Sequence, residues 1–159
     1  MSEVRRPAPI TQADRIGIEA ALGQARVAAS AGEIPVGAVV VRDGAVVAEG
    51  HNESVQRGDP TAHAELLAIQ RALYTLGTDR LADTTLYVTL EPCALCAGAM
   101  VLAKVGRLVF GAYDDKAGMA GSIGDLVRHP RLNHQVDVQG GVLEEPCAAL
   151  LVEFFRAKR

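Results

Sequence analysis

Three short stretches carry side chains able to hold a metal: His63-Ala64-Glu65, Pro92-Cys93 and Cys96. One imidazole and two thiols make an N/S ligand set of the kind zinc prefers in tetrahedral surroundings. Three protein ligands leave one position open, as in catalytic zinc sites, whereas structural sites close with a fourth side chain. Cys93 and Cys96 are three residues apart, so on a helix both sulfurs share a face. Near a helix N-terminus the free N–H groups and the dipole favour thiolate. Two thiolates cancel the charge of Zn2+, and a zinc-bound hydroxide leaves the centre at −1. Glu65 lies two residues from His63 and points away from the ligand direction, toward a water on the metal. That is where a proton shuttle belongs.

Other readings of these residues are open. A Cys-x-x-Cys pair also serves thioredoxin-like redox chemistry, though no Trp or Gly flanks this one in the usual way. A closed structural zinc site needs a fourth ligand. Cys147 is available, but it heads the apolar run Cys147-Ala-Ala-Leu-Leu151 and reads as a core residue. His63 alone would read as a satisfied polar residue. With Pro-Cys-x-x-Cys thirty residues on, it reads as a ligand.

The elements that must position these groups follow from local patterns. Thr11-Gln-Ala-Asp14 is a weakened capping box and predicts a helix to about Ala31, with Ile16, Ala20, Ala25 and Ala28 among its apolar positions and Gly32 as its stop. Val36–Val41 and Ala45–Glu49 flank Asp43-Gly44, which predicts an antiparallel hairpin. Asn52–Asp59 reads as a polar loop. Asp59-Pro60-Thr61 announces a helix to about Tyr74. Thr84–Leu90 reads as a strand, broken by Glu91-Pro92. A small-residue helix over Cys93–Lys104 and a strand over Arg107–Ala112 follow. Tyr113–Gly124 is Gly-rich and irregular. Val136–Val138 predicts a fifth strand, and Glu144–Arg156 a helix with Leu150, Leu151, Phe154 and Phe155 on its apolar side. Helices alternating with strands after a hairpin predict a mixed sheet covered on both faces. A metal site between two helix N-termini then falls outside the carboxyl ends of the strands.

The whole chain is consistent with such a domain. Its 159 residues suit one domain (1–159), with 1–10 expected as a flexible N-terminus. It is 49% hydrophobic and 22% charged, which excludes a disordered chain, and its 4% aromatic content leaves the core to Ala, Val, Leu and Ile. A net charge of −3 excludes bulk electrostatic binding of the histone type but not a local basic patch. The longest apolar run, Val36–Val41, is far below the ~18 residues of a membrane span. No apolar segment follows Arg5 and Arg6 as in a secretory signal, so the expected compartment is the cytoplasm.

His-Ala-Glu together with Pro-Cys-x-x-Cys is the signature of zinc nucleobase deaminases. The likeness extends further. Ile34–Val40, Gly50-His-Asn52, Asp59–Glu65, Leu86–Met100, Val109–Ala112, Asp114–Lys116, Gly121-Ser122, His129-Pro130, Asn133-His134 and Cys147–Leu151 resemble the bacterial tRNA-specific adenosine deaminases over roughly 12–156. That resemblance implies a cytidine-deaminase-like three-layer α/β/α sandwich with a central mixed five-stranded sheet, as a homodimer with one Zn2+ per subunit. It implies hydrolytic deamination of adenosine to inosine at the wobble position of a tRNA anticodon, usually an arginine tRNA, with the target base extruded from the loop. His63, Cys93 and Cys96 would hold zinc. Glu65 would shuttle protons between water, ring nitrogen and departing ammonia. Asn52 and the backbone N–H of Ala64 would meet the purine. Asp114 sits in the loop that would meet the RNA, and His134 would either face the anticodon loop or cap a turn. Tyr113 stands where some relatives carry a basic residue and can stack on a base or sugar. Arg156, Lys158 and Arg159 make a basic C-terminus suited to phosphate contact or to the helix dipole. Two other readings compete. One is a zinc deaminase of a free base or nucleoside such as guanine or cytosine, with a pocket closed by its own chain. The other is a non-catalytic partner subunit, against which Glu65 argues.

Overall fold

A computed structural model of the chain describes residues 8–158. Most of the expected stretch 1–10, and Arg159 of the basic C-terminus, lie outside the described residues. Helix α1 spans Gln12–Ser30 and opens with the expected capping box: Asp14 N–H donates to Thr11 Oγ1 (3.1 Å) and Thr11 N–H to the Asp14 carboxylate (3.3 Å). Its buried face runs through Asp14, Gly17, Ile18, Ala21, Leu22, Ala25 and Ala28. Ile16, expected on that face, is 57% exposed. The position that helical spacing sets beside Gly17 and Ile18 belongs to Asp14, whose carboxylate is fully buried and takes hydrogen bonds from Arg107 (3.0 Å) and the Tyr87 hydroxyl (3.3 Å).

Strands β1 (Gly37–Arg42) and β2 (Ala45–His51) pair antiparallel through Asp43 and Gly44, whose φ angles of 51° and 75° make the predicted turn. Helix α2 (Ser54–Arg57) lies inside the expected polar loop. Two of its first N–H groups are satisfied by Glu33, which accepts from Val55 (2.7 Å) and Gln56 (2.9 Å), twenty-two and twenty-three residues on.

Helix α3 (Ala64–Leu76) starts later than predicted. Asp59 Oδ1 instead takes the Thr61 N–H (2.8 Å) and hydroxyl (2.7 Å), closing a local turn, and the chain stays extended through His63. The remaining elements are β3 (Thr85–Leu90), α4 (Ala94–Leu102), β4 (Arg107–Ala112), β5 (Asp137–Gln139) and α5 (Glu144–Ala157). Residues 113–124 stay largely irregular, with an isolated bridge between Ala120 and Asp125.

The sheet order is β2-β1-β3-β4-β5, antiparallel across the first three strands and parallel across β3, β4 and β5. Alternate residues face opposite sides. Ala38, Val40, Leu86, Val88, Leu108 and Phe110 pack with α3 and α4; Val39, Tyr87 and Val109 pack with Ile18, Ala21 and Leu22 of α1 and Cys147 of α5. This is the expected three-layer sandwich with a mixed five-stranded sheet. Cys147, 1% exposed, is a core residue as read from its run, while the rest of the α5 apolar side is half-buried or open. At Gly50 a Cβ would press into the Ala64 carbonyl (2.6 Å), so the missing side chain lets the first turn of α3 lie on β2. No helix among the described residues is long and apolar enough to cross a membrane.

Candidate active site

Two helix starts converge at the carboxyl ends of β3 and β4. His63 is the N-cap residue of α3 and Cys93 that of α4, and neither side chain makes a capping hydrogen bond. Both are therefore free for another use. Cys96, one turn into α4, is fully buried. His63 Nδ1 lies 3.5 Å from Cys93 Sγ and 3.6 Å from Cys96 Sγ, and the three ligand atoms all fall within 4.8 Å of one another. Zinc bonds of about 2.3 Å to sulfur and 2.0–2.1 Å to nitrogen at the tetrahedral angle set an N···S separation of about 3.6 Å. Both N···S separations match that value, so the donor set and spacing suit zinc.

The protonation of the bare trio suits a metal as well. A hydrogen bond from Cys96 lowers the Cys93 thiol to about 5, against the opposing effect of burial and with help from His63. The proton committed to Cys93, together with burial, pushes Cys96 up. A cation bound here would take both sulfurs as thiolates and release their protons.

Glu65 follows in the first turn of α3. Burial pushes its carboxyl up to about 7, with the Cys93 charge adding to the shift and its own backbone N–H opposing it. It lines a cavity of about 200 Å³ together with His63, Ala64, Asn52, Cys93 and Asp114. Ala64 brings a first-turn N–H that has no partner within the helix. Asn52 is held by its own loop. Its Oδ1 accepts from Ser54 N–H (3.2 Å), and its backbone N–H donates to the Val36 carbonyl (3.1 Å).

Asp114 also lines the cavity, its Oδ1 accepting from the N–H groups of Lys116 (3.0 Å) and Ala117 (3.2 Å). His134 does not join the cavity. Its Nε2 lies 2.7 Å from the Val105 carbonyl, and neighbouring Asn133 accepts from Lys104 Nζ (2.9 Å). Both therefore sit at the start of β4, about 20 Å of strand from Asp114.

The cavity also holds residues that the sequence reading did not single out. Ile34, Val36 and Leu90 supply its apolar wall, and Glu91 its floor beside Cys93. Burial opposes ionisation of Glu91, but hydrogen bonds from Ser122 and from the N–H groups of Asp114, Ser122 and Ala120 hold its carboxyl below the ordinary value. An acidic residue at an apolar strand end, with no basic neighbour in sequence, was the available signal.

The family model for MafB19-like deaminases matches residues 14–159. The tRNA-specific adenosine deaminase of Bacillus subtilis (strain 168) is 48% identical over 148 residues, covering 92% of this chain and 91% of that protein. The chain belongs to the tRNA-specific adenosine deaminase family. The Aquifex aeolicus (strain VF5) tRNA-specific adenosine deaminase is 42% identical over 89% of this chain and 93% of its own length. A solved structure from a study of A-to-I editing by tRNA:A34 deaminases at the wobble position superposes with a TM-score of 0.82. It is 42% identical and covers 86% of this chain and 99% of the other. The guanine deaminase from Nitrosomonas europaea shares the fold at 27% identity and a TM-score of 0.74, covering 94% of this chain and 85% of that one. In this member of the tRNA-specific adenosine deaminase family, therefore, the fold and the His/Cys/Cys group occur together.

Proposed function

We propose that this protein hydrolyses adenosine to inosine at the wobble position of a tRNA anticodon, an arginine tRNA being the first candidate. It would act as one deaminase domain with one Zn2+ per subunit held by His63, Cys93 and Cys96. The observation that carries the chemistry is the convergence of those three ligand atoms at tetrahedral spacing beside Glu65. The substrate rests on the relatives: those from Bacillus subtilis and Aquifex aeolicus carry tRNA-specific adenosine deaminase in their names.

Zinc, when bound, supplies a Lewis acid that brings a water's pKa to about 7. The chain's own residues do the rest. Glu65 takes a proton from the attacking water and passes it to the ring nitrogen next to the reacting carbon. It then carries the second proton to the exocyclic nitrogen, so that a C–O bond replaces the C–N bond and ammonia leaves. Burial, which favours the protonated carboxyl, suits a group that must both accept and donate a proton. Asn52 and the Ala64 N–H orient the purine, and Asp114 meets the nucleotide at the mouth. The cavity excludes water from the base through Ile34, Val36 and Leu90.

Two exposed leucines on α4, Leu95 and Leu102, lie seven residues apart on one side of the helix that carries the cysteines. We place a homodimer contact there, with Leu102 81% exposed in the single chain. The expected compartment is the cytoplasm, where tRNA is found.

The test is a deamination panel with zinc-loaded protein. It compares an anticodon stem-loop bearing wobble adenosine with free adenosine, guanine, cytosine and cytidine. Turnover confined to the stem-loop supports the proposal. Turnover of guanine with the RNA untouched moves the protein to the free-base reading that the Nitrosomonas likeness keeps in view.

A further inference from the structure

We propose that Glu91 is a positioning residue for the substrate: its buried carboxylate fixes the loop 113–122, and with it Asp114 and Ala117, against the turn that carries Cys93. The inference rests on the reading that this cavity receives the target nucleobase.

Glu91 is 2% exposed, and among the described residues no Lys or Arg pairs with it. Its charge is met by the loop instead. Oε1 accepts from the Asp114 N–H (3.1 Å) and the Ser122 hydroxyl; Oε2 accepts from the N–H groups of Ala120 (3.1 Å) and Ser122 (3.0 Å). A carboxylate has about four lone-pair sites, and here all are taken. That leaves none for abstracting a proton, so Glu91 acts through the loop. Two backbone bonds complete the clamp: Met119 N–H to the Pro92 carbonyl (2.8 Å) and Glu91 N–H to the Ala112 carbonyl (2.8 Å).

Toward its far end the loop is also held by Arg128, whose Nη2 donates to the Ala120 carbonyl (3.0 Å), and by Met119 and Ala120 packing on the core; the Asp114–Ala117 part has no such support. The loop's other backbone bonds are local turns, Gly118 to Asp114 and Ile123 to Gly118, and the single bridge of Ala120 with Asp125. It also packs on the carboxyl so closely that a Cβ at Gly118 would overlap Glu91 and the Asp114 carbonyl. Asp114 and Ala117 are the part of this loop that lines the cavity. The His/Cys/Cys group comes from the N-caps of α3 and α4 and the first turn of α4, and Glu91 makes no hydrogen bond to it.

Glu91→Gln tests this, because an amide turns one acceptor oxygen into a donor. With the NH2 at the Oε2 position both N–H bonds there are lost; at the Oε1 position the Asp114 N–H loses its acceptor, while the Ser122 hydroxyl can turn to accept. Zinc-replete parent, Glu91→Gln and the milder Ser122→Ala would be compared by bound zinc per chain, by amide hydrogen exchange over 113–124, and by kcat and KM on the stem-loop. Glu91→Gln is expected to keep its zinc, to exchange at least about tenfold faster in that segment, and to raise KM about tenfold with kcat within about threefold. Ser122→Ala, which removes only the hydroxyl arm, should move exchange and KM the same way by about two- to fivefold. Unchanged exchange over 113–124 in either variant overturns the proposal. So does loss of zinc from Glu91→Gln, or a fall in kcat at constant KM. If Glu91→Gln does not fold, Ser122→Ala decides. If the parent does not turn over the stem-loop, the substrate reading fails, and the exchange result alone decides the anchor.

Discussion

Replacing Glu65 with Gln separates proton transfer from everything else the site does. The amide matches the carboxyl in shape, and the residue is 4% exposed in a first helical turn, so no cavity opens and α3 is kept. His63, Cys93 and Cys96 are untouched, and zinc content should stay at the parent level. What disappears is the one group in the cavity that can take a proton and give it back. The other two carboxylates there are engaged by loop N–H groups. Glu91 is saturated by Asp114, Ala120 and Ser122, and Asp114 Oδ1 holds the N–H groups of Lys116 and Ala117. Positioned acid–base catalysis contributes about 10²–10⁴-fold. With two proton transfers resting on one residue, kcat should fall toward the upper end, about 10³–10⁴-fold. At about 1.36 kcal/mol per decade that is about 4–5.5 kcal/mol of transition-state stabilisation. The assay is inosine formation on the stem-loop at saturating RNA, with bound zinc measured on the same sample. A zinc-replete Glu65→Gln enzyme within tenfold of the parent kcat would refute the assignment of the shuttle.

Cys93→Ser should lower bound zinc sharply, since a hydroxyl is a poor replacement for a thiolate ligand; elemental analysis after dialysis checks this, and a full zinc complement would remove Cys93 from the ligand set. Asp14→Asn should destabilise the fold by about 2–4 kcal/mol at pH 7, because it strips the buried partner from Arg107 and Tyr87. The sign with pH follows from the lowered carboxyl of Asp14, where the hydrogen bonds and charge of Arg107 and the Thr11 contacts outweigh burial. Its contribution is complete above the ordinary Asp value and is lost as pH falls through the folded one. The gap between parent and Asp14→Asn in urea midpoints should therefore narrow below about pH 4; a gap independent of pH would show that the pair is not ionised. Stem-loop affinity should fall with salt at a log–log slope of about −0.7 per phosphate contact, and a flat profile would count against RNA as the substrate.

The His/Cys/Cys group that could hold a metal was legible before any fold was known, because metal chemistry is written in residue types and short spacings. Cys93 and Cys96 need only a helix start to share a face, and Pro92 marks that start. The capping box of α1, the Asp43-Gly44 turn and the alternating faces of β1, β3 and β4 are local in the same sense. Each depends on neighbours within four residues, which a chain cannot rearrange without changing its sequence. Only the tertiary structure decided which distant groups those elements meet. Asp14 reads as a cap, yet it also pairs with Arg107, ninety-three residues on, and so displaces Ile16 from the buried face. Glu33 caps α2 from twenty-two residues away, and no local pattern announces either partner. His134 had no partner legible in its sequence, and the fold sets its Nε2 against the Val105 carbonyl, twenty-nine residues back. Glu91 looked like a strand breaker. It became the anchor of a cavity wall because parallel pairing of β3 with β4 delivers the loop after β4 to the end of β3. A buried carboxylate far from any cation must find its donors through the fold, and it is the sheet topology that brings Asp114, Ala120 and Ser122 to it.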